Sequence, residues 1–141
     1  MSKGNLLMIK RINHIGIAVK NLGLSSDVFS KLFEQPAPHT ETVEEQKATI
    51  AFFPVGESSF ELIESTSAES SIAKFLEKRG EGIHHICLDV DDIENEIARL
   101  QAHGFQFVND VPSNGGDGCR VAFIHPKSAN GVLIELSEKI S

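Results

Sequence analysis

The sequence has no long hydrophobic run. No stretch approaches the roughly 20 consecutive apolar residues that a membrane-spanning helix needs. Near the start, the apolar stretch Leu6 to Ile9 is too short for a signal-peptide core, and no small-residue cleavage site follows it. The expected location is therefore cytoplasmic, without membrane attachment. Basic residues are also few, with 13 Lys and Arg against 20 Asp and Glu for a formal charge of −7. An acidic chain without a basic run argues against nucleic acid as a partner, although a local patch can still meet a phosphorylated ligand. Cysteine is nearly absent. Cys87 and Cys119 are the two present, and neither belongs to a Cys-x-x-Cys pair. Zinc-ribbon and thioredoxin-type chemistry are thus not indicated, and both thiols are expected to be reduced. Low-complexity tracts and disordered linkers are missing as well. What remains is 141 residues with 40% apolar content, enough for one compact domain with its own core.

What the chain does have is an internal repeat. Ile12-Asn13-His14-Ile15-Gly16-Ile17-Ala18-Val19 is echoed by Ile83-His84-His85-Ile86-Cys87-Leu88-Asp89-Val90, so that His14 and His85 stand 71 residues apart. Both segments alternate and are rich in β-branched residues, which predicts strands. A helical pattern follows each. The first runs over roughly Leu24 to Glu34, with Val28, Phe29, Leu32 and Phe33 on its apolar face. The second runs from about Asp92 to His103, with Ile93, Ile97 and Leu100 inward, Asp91 and Glu94 as a capping pair, and Gly104 as terminator.

Both halves then close with strands. Ile50 to Pro54 resembles Val121 to Pro126, and Ser59 to Ile63 resembles Leu133 to Ser137. Between the halves, Ile72, Phe75 and Leu76 recur at helical spacing. The predicted class is α+β, a single domain of two tandem βαβββ modules at 9–66 and 82–138, with a linking helix within 67–81. Neither module is large enough to be stable alone.

Alternation places His14, Gly16 and Ala18 on one strand face and His85, Cys87 and Asp89 on the matching face of the second copy. Gly16 and Cys87 are small and leave room for a ligand. In the closing strands, Glu61 and Glu135 sit inside otherwise apolar stretches, where a carboxylate is costly unless it is paired or bound to metal. Two histidines and two glutamates, one of each per half, make a candidate metal site. Their nitrogen and oxygen donors suit a divalent ion such as Co, Zn, Ni, Mn or Fe. A lone strand histidine is more often a satisfied polar residue than a ligand, but solvent-facing residues have no reason to recur at matching positions. His84 points away from His85 and is selected against only by the repeat. His39, His103 and His125 have no counterpart and are expected on surface or loops.

Several blocks resemble the methylmalonyl-CoA epimerase family of the vicinal-oxygen-chelate (glyoxalase/bleomycin-resistance) superfamily. They are His14 to Val19, Ile72-Ala73-Lys74-Phe75-Leu76, Gly80 to Ile86, and His125-Pro126-Lys127-Ser128 with Gly131-Val132-Leu133-Ile134-Glu135-Leu136. The likeness runs over about residues 9 to 138. It implies a glyoxalase-like fold, one divalent metal ion per chain (Co, Zn, Ni or Mn) held at His14, Glu61, His85 and Glu135, and a homodimer. It also implies an acyl-CoA substrate whose (2R) and (2S) epimers are interconverted. Some members carry a further glutamate after the Glu-Gln pair. Here that pair is Glu45-Gln46 and the matching position is Ile50. The tyrosine pair common in the first helix is missing too, since the chain has no tyrosine.

Epimerisation requires proton transfer on both faces of a thioester enolate, which a divalent ion would stabilise as a Lewis acid. Glu135 is the candidate base for one face, and Glu61 for the other, with Glu45 a further candidate. Lys127 and Ser128 are expected to meet the CoA, and the glycine-rich segment 113–118 to be either a closing loop or a plain turn. Rival readings are another enzyme of the same architecture (lactoylglutathione lyase or a thiol transferase), a metal-free small-molecule binder, and an iron-dependent ring-cleaving dioxygenase. The last prefers two histidines and one carboxylate.

Overall fold

Strand β1 (Ile9–Ala18) opens the described chain, which in this computed structural model covers residues 9–115 and 118–140. Helix α1 (Leu22–Phe33) starts where the Asn21 side chain accepts a hydrogen bond from the Leu24 N–H at 2.9 Å, and stops where Glu34 turns left-handed at φ 54°. Strand β2 (His39–Val43), a 3-10 turn at Glu44–Gln46, β3 (Ala48–Val55) and β4 (Ser58–Ser65) complete one β-α-β-β-β set. Helix α2 (Ser71–Arg79) follows, capped by Ser70, whose hydroxyl accepts from the Ala73 N–H at 3.0 Å. The second set is β5 (Gly82–Val90), α3 (Ile93–Ala102), a two-residue β6 (Ser113–Asn114), β7 (Cys119–Ile124), a 3-10 turn at Pro126–Ser128, and β8 (Ile134–Lys139). No helix among the described residues is long and apolar enough to cross a membrane.

The chain divides into two compact units, His14–His84 and Met1–Asn13 with His85–Ser141. In the unit His14–His84 the strand order is β2-β3-β4-β1, with β1 parallel to β4 and the other pairs antiparallel. Alternation gives this sheet two apolar faces. Ala51, Phe53 and Leu62 pack against Leu22, Phe29 and Phe33 of α1, whereas Ile50, Ile63 and Ala18 pack against Ile72, Phe75 and Leu76 of α2. Phe53 and Leu62 are fully buried, each worth about 1.5–3 kcal/mol of transfer free energy.

Helix α1 departs from its expected face. Phe29 and Phe33 face the sheet, but Val28 and Leu32 are 60% and 65% exposed and line up with exposed Leu24. The helix is apolar on more than one side, and the aromatic pair, which meets Phe53 and Phe60 at 5.2–6.2 Å between ring centroids, decides which side is covered.

In the other unit, β5 is parallel to β8, and β7 is antiparallel to both β8 and β6. Ile93, Ile97 and Leu100 of α3 pack on Val90, Ala122, Ile124 and Leu136. The cap of α3 is one residue later than the spacing predicts. Asp92 accepts from the Asn95 N–H at 3.2 Å, while Asp91 pairs with Lys10 at 3.1 Å and Glu94 with Arg120 at 2.7 Å. Gly104 ends the helix at φ 92°, a conformation that costs glycine little. Glu96 is fully buried on the inner face and is held by the Arg99 guanidinium at 2.6–3.1 Å.

Candidate functional site

Each unit contains one buried histidine–glutamate pair, built the same way. In the unit His14–His84, parallel pairing sets Glu61 of β4 beside Gly16 of β1, and His14 lies two residues earlier on the same face. The two side chains meet at 3.2 Å between His14 Nδ1 and Glu61 Oε2. In the other unit, Glu135 of β8 sits beside Cys87 of β5, again two residues past the histidine, and His85 Nε2 meets Glu135 Oε1 at 3.2 Å. All four side chains are nearly withdrawn from solvent, at 9–12% exposure. The small residue opposite each glutamate, Gly16 or Cys87, keeps the strand next to the pair narrow.

A phenylalanine flanks each glutamate on its other side. Antiparallel pairing puts Phe52 opposite Glu61 and Phe123 opposite Glu135, and the Phe123 ring stands edge-on to His85 at 6.3 Å. Neither ring stands out in the sequence as a site residue, although Ala51-Phe52 and Ala122-Phe123 occupy matching places in the aligned strands. On the outer strand β2, His39 lies opposite Phe52 and stacks on it at 5.7 Å, and its Nε2 meets Glu41 at 3.0 Å. His39 is thus at the surface, as expected, but on a strand in the same row as Glu61 and not in a loop. Glu41 lies directly opposite Ile50.

The remaining expected residues are placed less centrally. Glu45 is exposed in the 3-10 turn before β3. Lys127 is exposed in the turn after β7, and the Ser128 hydroxyl accepts from the Gln106 N–H at 2.9 Å. His125 caps that turn, accepting from the Lys127 N–H, and His103 ends α3. His84 turns away from its neighbour and stands edge-on to Phe75 at 5.0 Å. Of the segment 113–118, Ser113 and Asn114 form β6 instead of a loop, while residues 116–117 lie outside the described chain.

The sequence matches the Glyoxalase/Bleomycin resistance protein/Dioxygenase superfamily over residues 13–123. The mitochondrial methylmalonyl-CoA epimerase of Dictyostelium discoideum is 38% identical, over 93% of this chain and 80% of that protein. The fold matches the crystal structure of methylmalonyl-CoA epimerase from Mycobacterium tuberculosis with a TM-score of 0.86 and 32% identity, over 95% of this chain and 91% of that one.

The chain belongs to the methylmalonyl-CoA epimerase family of the glyoxalase superfamily.

A further family member, a Streptomyces coelicolor epimerase variant solved with 2-nitronate-propionyl-CoA, matches with a TM-score of 0.83 and 34% identity, over 93% and 95% of the two chains. Against this background the two pairs have a clear chemical character. Each offers one imidazole nitrogen and one carboxylate oxygen, buried beside an aromatic ring. Such donors suit a borderline divalent cation, and a buried carboxylate needs a compensating partner, which here is a histidine at 3.2 Å in each pair.

Proposed function

We propose that this protein is a metal-dependent epimerase that interconverts (2R)- and (2S)-methylmalonyl-CoA. The observation that carries this reading is the buried His–Glu pair, repeated at the same strand register in both halves of a chain from an epimerase family. The acyl-CoA substrate rests on the relatives, one of which was solved with a CoA thioester analogue.

His14, Glu61, His85 and Glu135 are the proposed ligands of one divalent ion per chain, of the class Co, Zn, Ni or Mn. Bound there, the ion supplies Lewis-acid stabilisation to the oxygen of a thioester enolate. The protein's own work is to position and to move protons. The α-hydrogen lies between a thioester and a carboxylate, and Glu135 is the proposed base that removes it on one face. Glu61 is the proposed acid that returns a proton on the other, with Glu45 as the alternative. Phe52 and Phe123 exclude water beside the two carboxylates, which strengthens their interactions with charge. Lys127 is proposed to meet the CoA. Ser128, already engaged with Gln106, holds the turn that presents it. We also propose a homodimer in the cytoplasm. Sedimentation equilibrium at micromolar concentrations tests the dimer, and a monomer there removes it.

The decisive experiment is proton NMR of methylmalonyl-CoA in D₂O with the metal-loaded protein. The α-hydrogen should wash out and the methyl signals should report both epimers. A metal-loaded protein that leaves both epimers unexchanged overturns the proposal.

A further inference from the structure

The block Ile72-Ala73-Lys74-Phe75-Leu76 has no part in the proposed chemistry, and neither does His84. The structure brings them together. Helix α2 borders a cavity of about 360 Å³ whose walls include Lys74, Phe75, Glu77, Lys78, Arg79 and His84. Lys74 and Lys78 are four residues apart and share a helix face, as do Phe75 and Arg79 on the adjoining one. The Arg79 guanidinium lies 5.8 Å from the centroid of the Phe75 ring, and His84 meets the same ring edge-on.

Charge distribution marks this place out. Half of the twelve described lysines and arginines are spent on carboxylates. Lys10, Arg11, Lys31, Lys47, Arg99 and Arg120 all sit in ion pairs. Among the described residues, Lys20, Lys74, Lys78, Arg79, Lys127 and Lys139 are outside these pairs, and only Lys74, Lys78 and Arg79 are gathered in one place, within one nine-residue helix. The helix macrodipole favours Lys78 and Arg79 in the last turn, but it does not account for Lys74 or for an aromatic wall beside the three charges. Three cations flanking an aromatic surface in a concave site are what phosphates attached to a heterocyclic base require. The volume falls at the lower end of the range for small-molecule sites, about 300–1,000 Å³.

The place in the fold fits a long ligand anchored at both ends. Ile72 packs on Ala18 and Ile63, which lie farther along the strand faces that carry His14 and Glu61. From His14 to Ala18 is about 13 Å at the usual strand rise. A ligand reaching α2 from the His14–Glu61 pair needs an extended arm between its reacting group and its phosphates, as an acyl-CoA has. We propose that the α2 cavity binds the phosphorylated nucleotide end of the CoA, its phosphates on Lys74, Lys78 and Arg79 and its adenine against Phe75 and His84. This rests on the acyl-CoA reading above.

The test measures binding apart from turnover. Coenzyme A and adenosine 3′,5′-bisphosphate are titrated calorimetrically into the metal-loaded protein and into the variant carrying Lys74→Ala and Lys78→Ala. Both positions are exposed, and unchanged metal content and melting confirm the variant's fold. Affinity for both probes should fall on the order of tenfold or more, since charge-assisted phosphate contacts are lost. KM for methylmalonyl-CoA should rise comparably while kcat is kept, and methylmalonyl-pantetheine, which lacks the nucleotide, should be turned over alike by parent and variant. Inorganic phosphate should bind far more weakly than the bisphosphate. Unchanged coenzyme A affinity in the variant overturns the proposal, and so does phosphate binding as tightly as the nucleotide, which would leave an anion site only. If the parent binds coenzyme A through these lysines but exchanges no α-hydrogen, the cavity stands and the epimerase reading fails.

Discussion

Glu61 and Glu135 occupy the same register in their units, yet they need not do the same work. Replacing either with glutamine keeps an oxygen donor and removes the ability to carry a proton. Glu135→Gln should therefore retain part of its metal and lose α-hydrogen exchange by on the order of a hundredfold or more, the usual cost of a lost general base. Glu61→Gln should be as severe if Glu61 serves the second face, and mild if it is only a ligand. Washout into D₂O measured from each epimer separately resolves the two cases, because a site with one base left still exchanges one epimer while failing to invert it. Exchange at the parent rate by metal-loaded Glu135→Gln removes Glu135 from proton transfer. The remaining carboxylates for that role are then Glu45, exposed before β3, and Glu41, which lies opposite the isoleucine at position 50. At this scale much was legible in the sequence. Strand alternation sets His85 apart from His84, and the structure turns His84 toward Phe75 and His85 toward Glu135. The strand that carries the exposed His39 was not legible, because the polar segment His39–Val43 acquires its strand face only by pairing with β3.

Among the elements, α3 carries the sharpest stability test. Glu96 has no solvent access, and its carboxylate accepts from Arg99, whose pKa is raised above its ordinary value chiefly by the hydrogen bond from its side chain to Glu96. Arg99→Ala strands a carboxylate in the core and should destabilise the fold by roughly 3–5 kcal/mol. Urea unfolding measures it, and a loss below about 1 kcal/mol, typical of an exposed pair, shows that Glu96 reaches water when Arg99 is gone. The sequence pattern predicts α3 well because Ile93, Ile97 and Leu100 make a single stripe. It says nothing about Glu96, which reads as a solvent residue until the inner face is known to include it. In α1 the same pattern misleads for the opposite reason. Apolar residues surround the helix, and periodicity cannot tell that Phe29 and Phe33 are covered while Leu24, Val28 and Leu32 are left exposed. Both β-α-β-β-β sets were predictable from the repeat, whereas the two-residue β6 was not, since so short a strand exists only through its pairing with Val121 and Arg120.

For the whole molecule, the proposed ion takes one histidine and one glutamate from each unit, so metal binding and folding should be linked. A ligand that binds only the folded state adds stability in proportion to the logarithm of its excess. At a free concentration about a hundredfold above its Kd the gain is about 2.7 kcal/mol. For a chain of this length that corresponds to a rise in Tm on the order of 10 °C. Chelation with EDTA should therefore lower the melting temperature by about that amount, and zinc or cobalt added back should restore it in a single transition. His14→Ala and His85→Ala should bind little metal and melt at one temperature with or without chelator. His84→Ala should keep both the metal and the shift, because its ring lies against Phe75 and not beside Glu135. Calorimetry with parallel metal analysis checks all three. If the His–Glu pairs are instead self-sufficient ion pairs, chelation leaves the melting temperature of the parent unmoved, and each histidine variant melts lower by the cost of an unpaired buried glutamate whether or not metal is present.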